Sequence, residues 1–249
     1  MTLLERLRAV IARDERAVLF TVVEGDGIGA KLLVLETGEA HGDAPAELRG
    51  RAGDLLREGR SRLLAHGPAK VFAEVYGPPP RLLVFGAVDT AEALCRTAKT
   101  IGWRAIVADA RAKFATRVRI PSAHELVVAW PEEALARVAP DYSTAIVVLT
   151  HEEKFDVPAL RGALATEAFY VGAMGSRRAQ ARRREQLLAA GVDEADLERI
   201  HGPCGLDLGA EAPAETALSI LAEIVAVRNG RPGGPLREAA GPIHVEARA

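Results

Sequence analysis

AFYVGAMGSRRAQARRREQLL (168–188) and, after a short spacer, IHGPCGLDLGAEAPAETALSILAEIVA (200–226) decide how this chain reads. Ala168 to Val171 is a short apolar strand, Gly172 and Gly175 let the backbone bend and come close to a ligand, and Ser176 stands where a helix N-cap belongs. The helix then opens with Arg177 and Arg178. Its N-terminus exposes unpaired N–H groups at the positive end of a dipole, which suits a phosphate or carboxylate, and the two arginines add forked donors. An ordinary strand-to-helix turn with solvated arginines has the same pattern, and the residues alone leave both readings open. Arg182, Arg183 and Arg184 read as a charged outer face, because helical spacing cannot aim three successive side chains at one ligand.

The loop that follows, His201 to Gly209, is held to an irregular path by its glycines and Pro203, and it carries His201, Cys204, Gly205 and Asp207. A metal site is not expected there, since no CxxC or HxxxH spacing accompanies these residues. Asp207 can cap amides within the loop. Glu215, just after Pro213, complements the dipole of the last apolar helix, a sufficient structural reason for it.

Working outward, strands are expected at Arg81–Ala87, Arg104–Asp109, Glu125–Trp130, Thr144–Thr150 and Ala168–Gly172. Helices are expected around Asp89–Ile101, Pro131–Val138 and Val157–Ala165. Apolar strands alternating with helices imply a parallel sheet covered on both faces, so the fold class is α/β with a Rossmann-like domain. Such sheets bind ligands beyond the carboxyl ends of their strands, where Gly86, Asp109, Thr150 and Gly172 fall.

Before this region the pattern differs. A helix at Thr2–Arg13 precedes strand-like runs at Ala17–Val23 and Ala30–Leu35, a turn at Thr37–Glu39, a helical stretch from Ala44 to Leu64 and a strand at Ala69–Tyr76. Gly77-Pro-Pro-Pro80 can continue neither helix nor ladder. The expected division is therefore a small N-terminal α+β domain at 1–77, the Rossmann-like domain at 78–230 and a flexible Gly/Pro tail at 231–249.

Composition narrows the function classes. A net charge of −2 from 32 basic and 34 acidic residues gives no reason to bind nucleic acid, and no segment is apolar for long enough to span a membrane. The opening MTLLERLRAVIARDERA lacks the apolar run of a signal peptide, and two cysteines, Cys95 and Cys204, suit a reducing compartment, so the expected location is cytoplasmic.

The first strand-to-helix turn is where a dinucleotide fingerprint would lie. Gly86-Ala-Val-Asp-Thr-Ala91 has Val88 where G-x-G-x-x-G requires its second glycine, although Asp109 ends the next strand where a ribose-binding acid belongs. Val88 fills space needed by a pyrophosphate and Asp89 adds negative charge, so NAD(P) is the less favoured cofactor.

The segments GAMGSRR, IHGPCGLDLGAEAPAE and ALSILAEIVAVRNG, with RLLVFGAVDTAEAL and VVLTHEEKFD before them, resemble the XdhC/CoxI family of accessory proteins for molybdenum hydroxylases. The resemblance implies a protein that binds molybdenum cofactor, as molybdopterin or its dinucleotide, and supports its maturation and delivery. The implied partners are an apo molybdenum hydroxylase of xanthine dehydrogenase or carbon monoxide dehydrogenase type, and enzymes of cofactor synthesis or sulfuration. Relatives usually carry GAGH at the first turn, where this chain has Gly86-Ala-Val-Asp89. They also carry a Gly-Gly-Cys motif after the second strand, where it has Gly42-Asp-Ala-Pro45 and no thiol. The family's LTHD pattern corresponds to Leu149-Thr-His-Glu152, which puts Thr150 and His151 at the lip of the expected crevice. His151 either meets the ligand or caps the next helix.

The expected cofactor-binding set is therefore Gly86, Asp109, Thr150, His151, Gly172, Gly175, Ser176, Arg177, Arg178, His201, Gly205, Asp207 and Glu215. No nucleophile, base and oxyanion donor can be assembled, so no catalytic residue is assigned. An NAD(P)-dependent oxidoreductase and a ligand-free assembly adaptor are the rival functions. The apolar residues of the last helix serve either a homodimer or the chain's own sheet.

Overall fold

The computed structural model describes residues 1–240, so the expected tail lies outside the described residues from 241 onward. The chain forms two compact units, one from Met1–Pro78 with the described residues after Gly233, the other from Pro79–Gly233.

In the first unit, α1 (Leu3–Ala12) is followed by β1 (Ala17–Glu24), β2 (Lys31–Leu35), β3 (Ala40–Gly42), α2 (Ala52–Glu58), β4 (Arg62–His66) and β5 (Ala69–Tyr76). The strands make an antiparallel sheet in the order β3-β2-β1-β5-β4. Alternation along β1 covers both faces: Val18, Phe20 and Val22 join a core with Leu48, Leu55 and Leu56, while Ala17 and Leu19 meet Leu7 and Val10 of α1. The helix expected from Ala44 to Leu64 is instead a 3-10 turn, Ala46–Arg51, the short α2 and the strand β4. Gly59, at φ 64°, ends α2 in the left-handed conformation, and β4 gains its hydrogen bonds from β5, a partner that local periodicity does not reveal.

The second unit contains β6 (Arg81–Phe85), α3 (Asp89–Thr100), β7 (Arg104–Ala108), β8 (Glu125–Val127), α4 (Pro131–Val138), β9 (Thr144–Val148), α5 (Glu153–Leu164), β10 (Tyr170–Ala173), α6 (Arg177–Ala189), α7 (Glu194–Leu197), β11 (Ile200–His201) and α8 (Pro213–Arg228). Six parallel strands run in the order β11-β10-β9-β6-β7-β8, with the first strand of the unit at the centre and the order reversing between β6 and β9. That is the doubly wound Rossmann arrangement, and its crevice opens at the carboxyl ends of β6 and β9.

Both faces are dry. Leu82 and Val84 of β6 and Val147 of β9 pack with Leu94 of α3 and Ile220, Leu221 and Ile224 of α8, while Leu83, Phe85, Ile146 and Val148 pack with Leu135 of α4 and Leu160 of α5. Leu221 and Ile224 thus cover the chain's own sheet, although Leu218 stays 53% exposed. Two departures from the sequence reading matter for the site. The two-residue β11, paired with Val171 and Gly172, adds a sixth strand to the five expected, and α5 begins at Glu153 and runs through Pro158 instead of starting near Val157.

Candidate functional site

Helix α6 begins as its sequence dictates. Ser176 is the N-cap, its Oγ accepting from the Ala179 N–H at 3.2 Å, and Gly175 reaches φ 136° in the turn out of β10. The α-helices α3, α4, α5 and α8 each carry acids in their first turn; α6 carries none and opens with two arginines. Arg177, Arg178 and Arg182 are exposed and have no hydrogen-bond or ion-pair partner among the described residues. Positive side chains at the positive end of the dipole repel it, and a bound anion would relieve that repulsion.

Beside this turn, His151, Glu153, Asp156, Ala179, Arg182, Arg183 and Gln186 line a cleft of about 280 Å³. Arg183 corrects the expected charged outer face: it is 5% exposed and turned inward. Its Nη2 donates to Asp156 Oδ2 at 2.7 Å and to the Met174 carbonyl at 3.3 Å, while its Nη1 donates to Gln180 Oε1 at 2.6 Å. Asp156 Oδ1 accepts the Thr150 hydroxyl at 2.5 Å, and Gln180 Nε2 donates to the Ala173 carbonyl at 3.0 Å. One buried network therefore fastens the carboxyl ends of β9 and β10 to α5 and α6. Arg183 and Gln180 take up the space inside the turn, so donors for a ligand remain on its outer side. His151 is exposed, makes no hydrogen bond among the described residues and does not cap α5.

A second group surrounds Glu223 of α8. The Tyr170 hydroxyl donates to Glu223 Oε2 at 2.5 Å, the Gly205 N–H donates to the same oxygen at 2.8 Å, and His201 Nδ1 lies 3.3 Å from Oε1. The His201 ring stacks on Tyr170 with centroids 4.5 Å apart. Burial alone would raise the Glu223 carboxyl, but the bonds from His201, Tyr170 and the Gly205 amide hold it below the usual range. Burial and the neighbouring Glu223 push the Cys204 thiol up to about 12. Gly172 belongs here too, because a Cβ on it would lie 2.6 Å from the Tyr170 ring. His201, Gly205 and Gly172 are thus brought together, and their contacts bind the 201–209 loop to α8. Asp207 is exposed and caps no amide among the described residues; Glu215 accepts the Glu211 and Ala212 N–H groups and so closes the start of α8.

At the strand-order reversal, Gly86 meets Thr150 closely: a Cβ on Gly86 would sit 2.8 Å from Thr150 Cγ2. Asp109 accepts the Ala87 N–H at 2.9 Å, and Arg111 grips it from the other side with Nε and Nη2, each at 2.9 Å. Burial would raise Asp109, but Arg111 and the two amides outweigh it and keep the carboxyl low. Sequence reasoning missed Arg111, Asp156, Arg183 and Glu223. Only Asp156 and Arg183 carried a signal, an acid and a base on apolar faces of neighbouring helices.

The comparisons with known proteins agree with the Rossmann fold of the second unit. A model described as the XdhC Rossmann domain matches residues 82–224. The chain is 32% identical over 158 residues to a Bacillus subtilis protein named as a probable component of xanthine dehydrogenase, covering 64% of this chain and 46% of that protein. It is 28% identical over 153 residues to the molybdenum cofactor insertion chaperone PaoD of Escherichia coli, covering 61% and 42%. The matched regions thus span less than half the length of either relative. A crystal structure described as a xanthine dehydrogenase from Bacillus halodurans superposes with a TM-score of 0.67 at 22% identity, over 95% of this chain and 66% of that one, a likeness of fold. With its Rossmann unit matched from β6 into α8, the chain belongs to the XdhC family.

Proposed function

We propose that the chain binds molybdenum cofactor through the cofactor's phosphate at the N-terminus of α6 and takes part in its maturation and insertion into a molybdenum hydroxylase. One relative's name describes cofactor insertion and another's a component of xanthine dehydrogenase, and both support this reading. The observation that carries it is the unbalanced cationic start of α6. Three guanidiniums without a partner among the described residues, Arg177, Arg178 and Arg182, flank a helix end whose Ser176 cap occupies the Ala179 amide. A phosphate fits such a donor set, because it takes several N–H groups at once and offsets the charge.

In this reading Gly175 brings the backbone close to the phosphate, His151 reaches the ligand from across the cleft, and the buried Arg183–Asp156 pair holds α6 in place. Gly172, His201 and Gly205 contribute by fixing the loop against α8, and Glu215 by closing the start of α8. The partners are an apo molybdenum hydroxylase and enzymes of cofactor synthesis or sulfuration, and the setting is the cytoplasm. Among the described residues no helix is long and apolar enough to cross a membrane.

The test is cofactor affinity. Replacing Arg177 and Arg178 together with alanine should weaken binding of purified molybdopterin at least tenfold while the fold is kept, and unchanged affinity would remove the anion clamp. The strand order by itself favours a second reading, a nicotinamide dinucleotide at the first turn. Val88 and the hydrogen bonds around Asp109 weigh against it.

A further inference from the structure

The switch point of a doubly wound sheet receives a dinucleotide when two things are free: a glycine turn for the pyrophosphate and, at the end of the next strand, a carboxylate for the ribose hydroxyls. Here the carboxylate is present and committed. Asp109 Oδ1 accepts the Arg111 N–H and the Arg111 Nε–H, each at 2.9 Å, and Oδ2 accepts the Ala87 N–H and Arg111 Nη2, again at 2.9 Å. A carboxylate offers about four lone-pair sites, so no acceptor capacity is left for a diol.

Arg111 is also fixed beyond Asp109. Its guanidinium lies 4.5 Å from the Phe114 ring centroid and 5.5 Å from that of Phe155, and Nη1 pairs with Glu152 Oε1 at 3.1 Å. Asp109 follows β7, Glu152 follows β9, and β6 lies between those strands. The Arg111–Glu152 pair therefore crosses the carboxyl end of β6, over the turn where a pyrophosphate would rest. A solvated surface arginine would hold neither two rings nor two carboxylates in this way.

We propose that Arg111 is a built-in plug that sets the specificity of this crevice, excluding ligands recognised through a free ribose 2′,3′-diol by occupying the hydrogen bonds that such a diol needs. It does so whether or not α6 binds a pterin phosphate. The crevice of this Rossmann unit is accordingly closed to NAD, NADH and ADP-ribose, and removing the guanidinium frees the Asp109 carboxylate for a diol once the pyrophosphate path past Val88 is also cleared.

The test uses the whole chain with NADH as the probe, in a Val88→Gly background that clears the path of the pyrophosphate. Val88→Gly alone should bind NADH weakly or not at all, and any binding should be indifferent to loss of the 2′-hydroxyl. Adding Arg111→Met, which keeps an apolar stem between Phe114 and Phe155, should tighten NADH binding at least tenfold. A further Asp109→Asn change, or the 2′-deoxy analogue, should abolish that gain. Binding no tighter in the double variant would overturn the proposal. So would a tenfold preference of Val88→Gly for NADH over its 2′-deoxy analogue, a comparison that needs no change at Arg111 and decides the matter if the double variant does not fold.

Discussion

Arg183 Nη2 and Asp156 Oδ2 lie 2.7 Å apart with each side chain only 6% exposed, so this ion pair of α5 and α6 is shielded from water. Removing one partner leaves the other charged and buried, which typically costs about 3–5 kcal/mol. Arg183→Ala and Asp156→Ala should each lower unfolding free energy by that order in urea titrations. The joint change Arg183→Met with Asp156→Leu should recover much of the loss, since the desolvation of both charges disappears together. A joint loss as large as the sum of the two single losses would show that the pair is not coupled.

Arg177 and Arg178 should behave in the opposite way. They are exposed, have no partner among the described residues and sit at the positive end of the α6 dipole, so replacing both by alanine removes repulsion worth about 0.3–1 kcal/mol each at low ionic strength. The double variant should melt at or slightly above the parent temperature in dilute buffer, and added inorganic phosphate should raise the parent's melting temperature more than the variant's. A variant that melts well below the parent would mean that the arginines serve the fold.

Acidification should act through Glu223 and Asp109. Both carboxyls lie below the usual range in the folded chain, so they stay ionised at pH values where the unfolded chain has begun to take up protons. Their stabilisation is complete above the ordinary carboxylate value of about 4 and fades as pH falls through and below it. Urea titrations between neutrality and pH 3 should show a steep acid limb. Glu223→Gln, which loses the stabilised charge, should make that limb shallower and lower stability at neutral pH by about 1–3 kcal/mol.

The two thiols should be slow to react. Burial, with Glu92 adding to it, pushes Cys95 up to about 12, and burial with Glu223 does the same for Cys204. Both are therefore protonated at pH 8, and the thiolate is the nucleophile. Alkylation with iodoacetamide should modify neither in the native protein within the time that labels both in urea.

Gly172→Ala tests the packing around the 201–209 loop. The added Cβ would meet the Tyr170 ring at 2.6 Å and Cys204 Cβ at 3.0 Å, overpacking that typically costs about 1–3 kcal/mol. Chemical denaturation should show the loss, and unchanged stability would mean that the ring can move aside.

Local signals account for what the sequence alone determined. Alternating apolar strands and helices, proline-marked joints and the caps at Ser176 and Glu215 depend on neighbours a few residues away, so the α/β class and the cationic start of α6 were legible in the order of residues. The tertiary structure decided whatever needs a distant partner. Arg183 looked like one of three solvated arginines until Asp156, on the preceding helix, gave it a buried counter-charge. Asp109 looked like a free ribose acceptor until Arg111 and the Ala87 amide filled it, and β4 and β11 became strands because β5 and β10 supplied their hydrogen bonds. A side chain's charge is written in the chain, but whether it faces water, a partner or a ligand depends on what folding brings beside it.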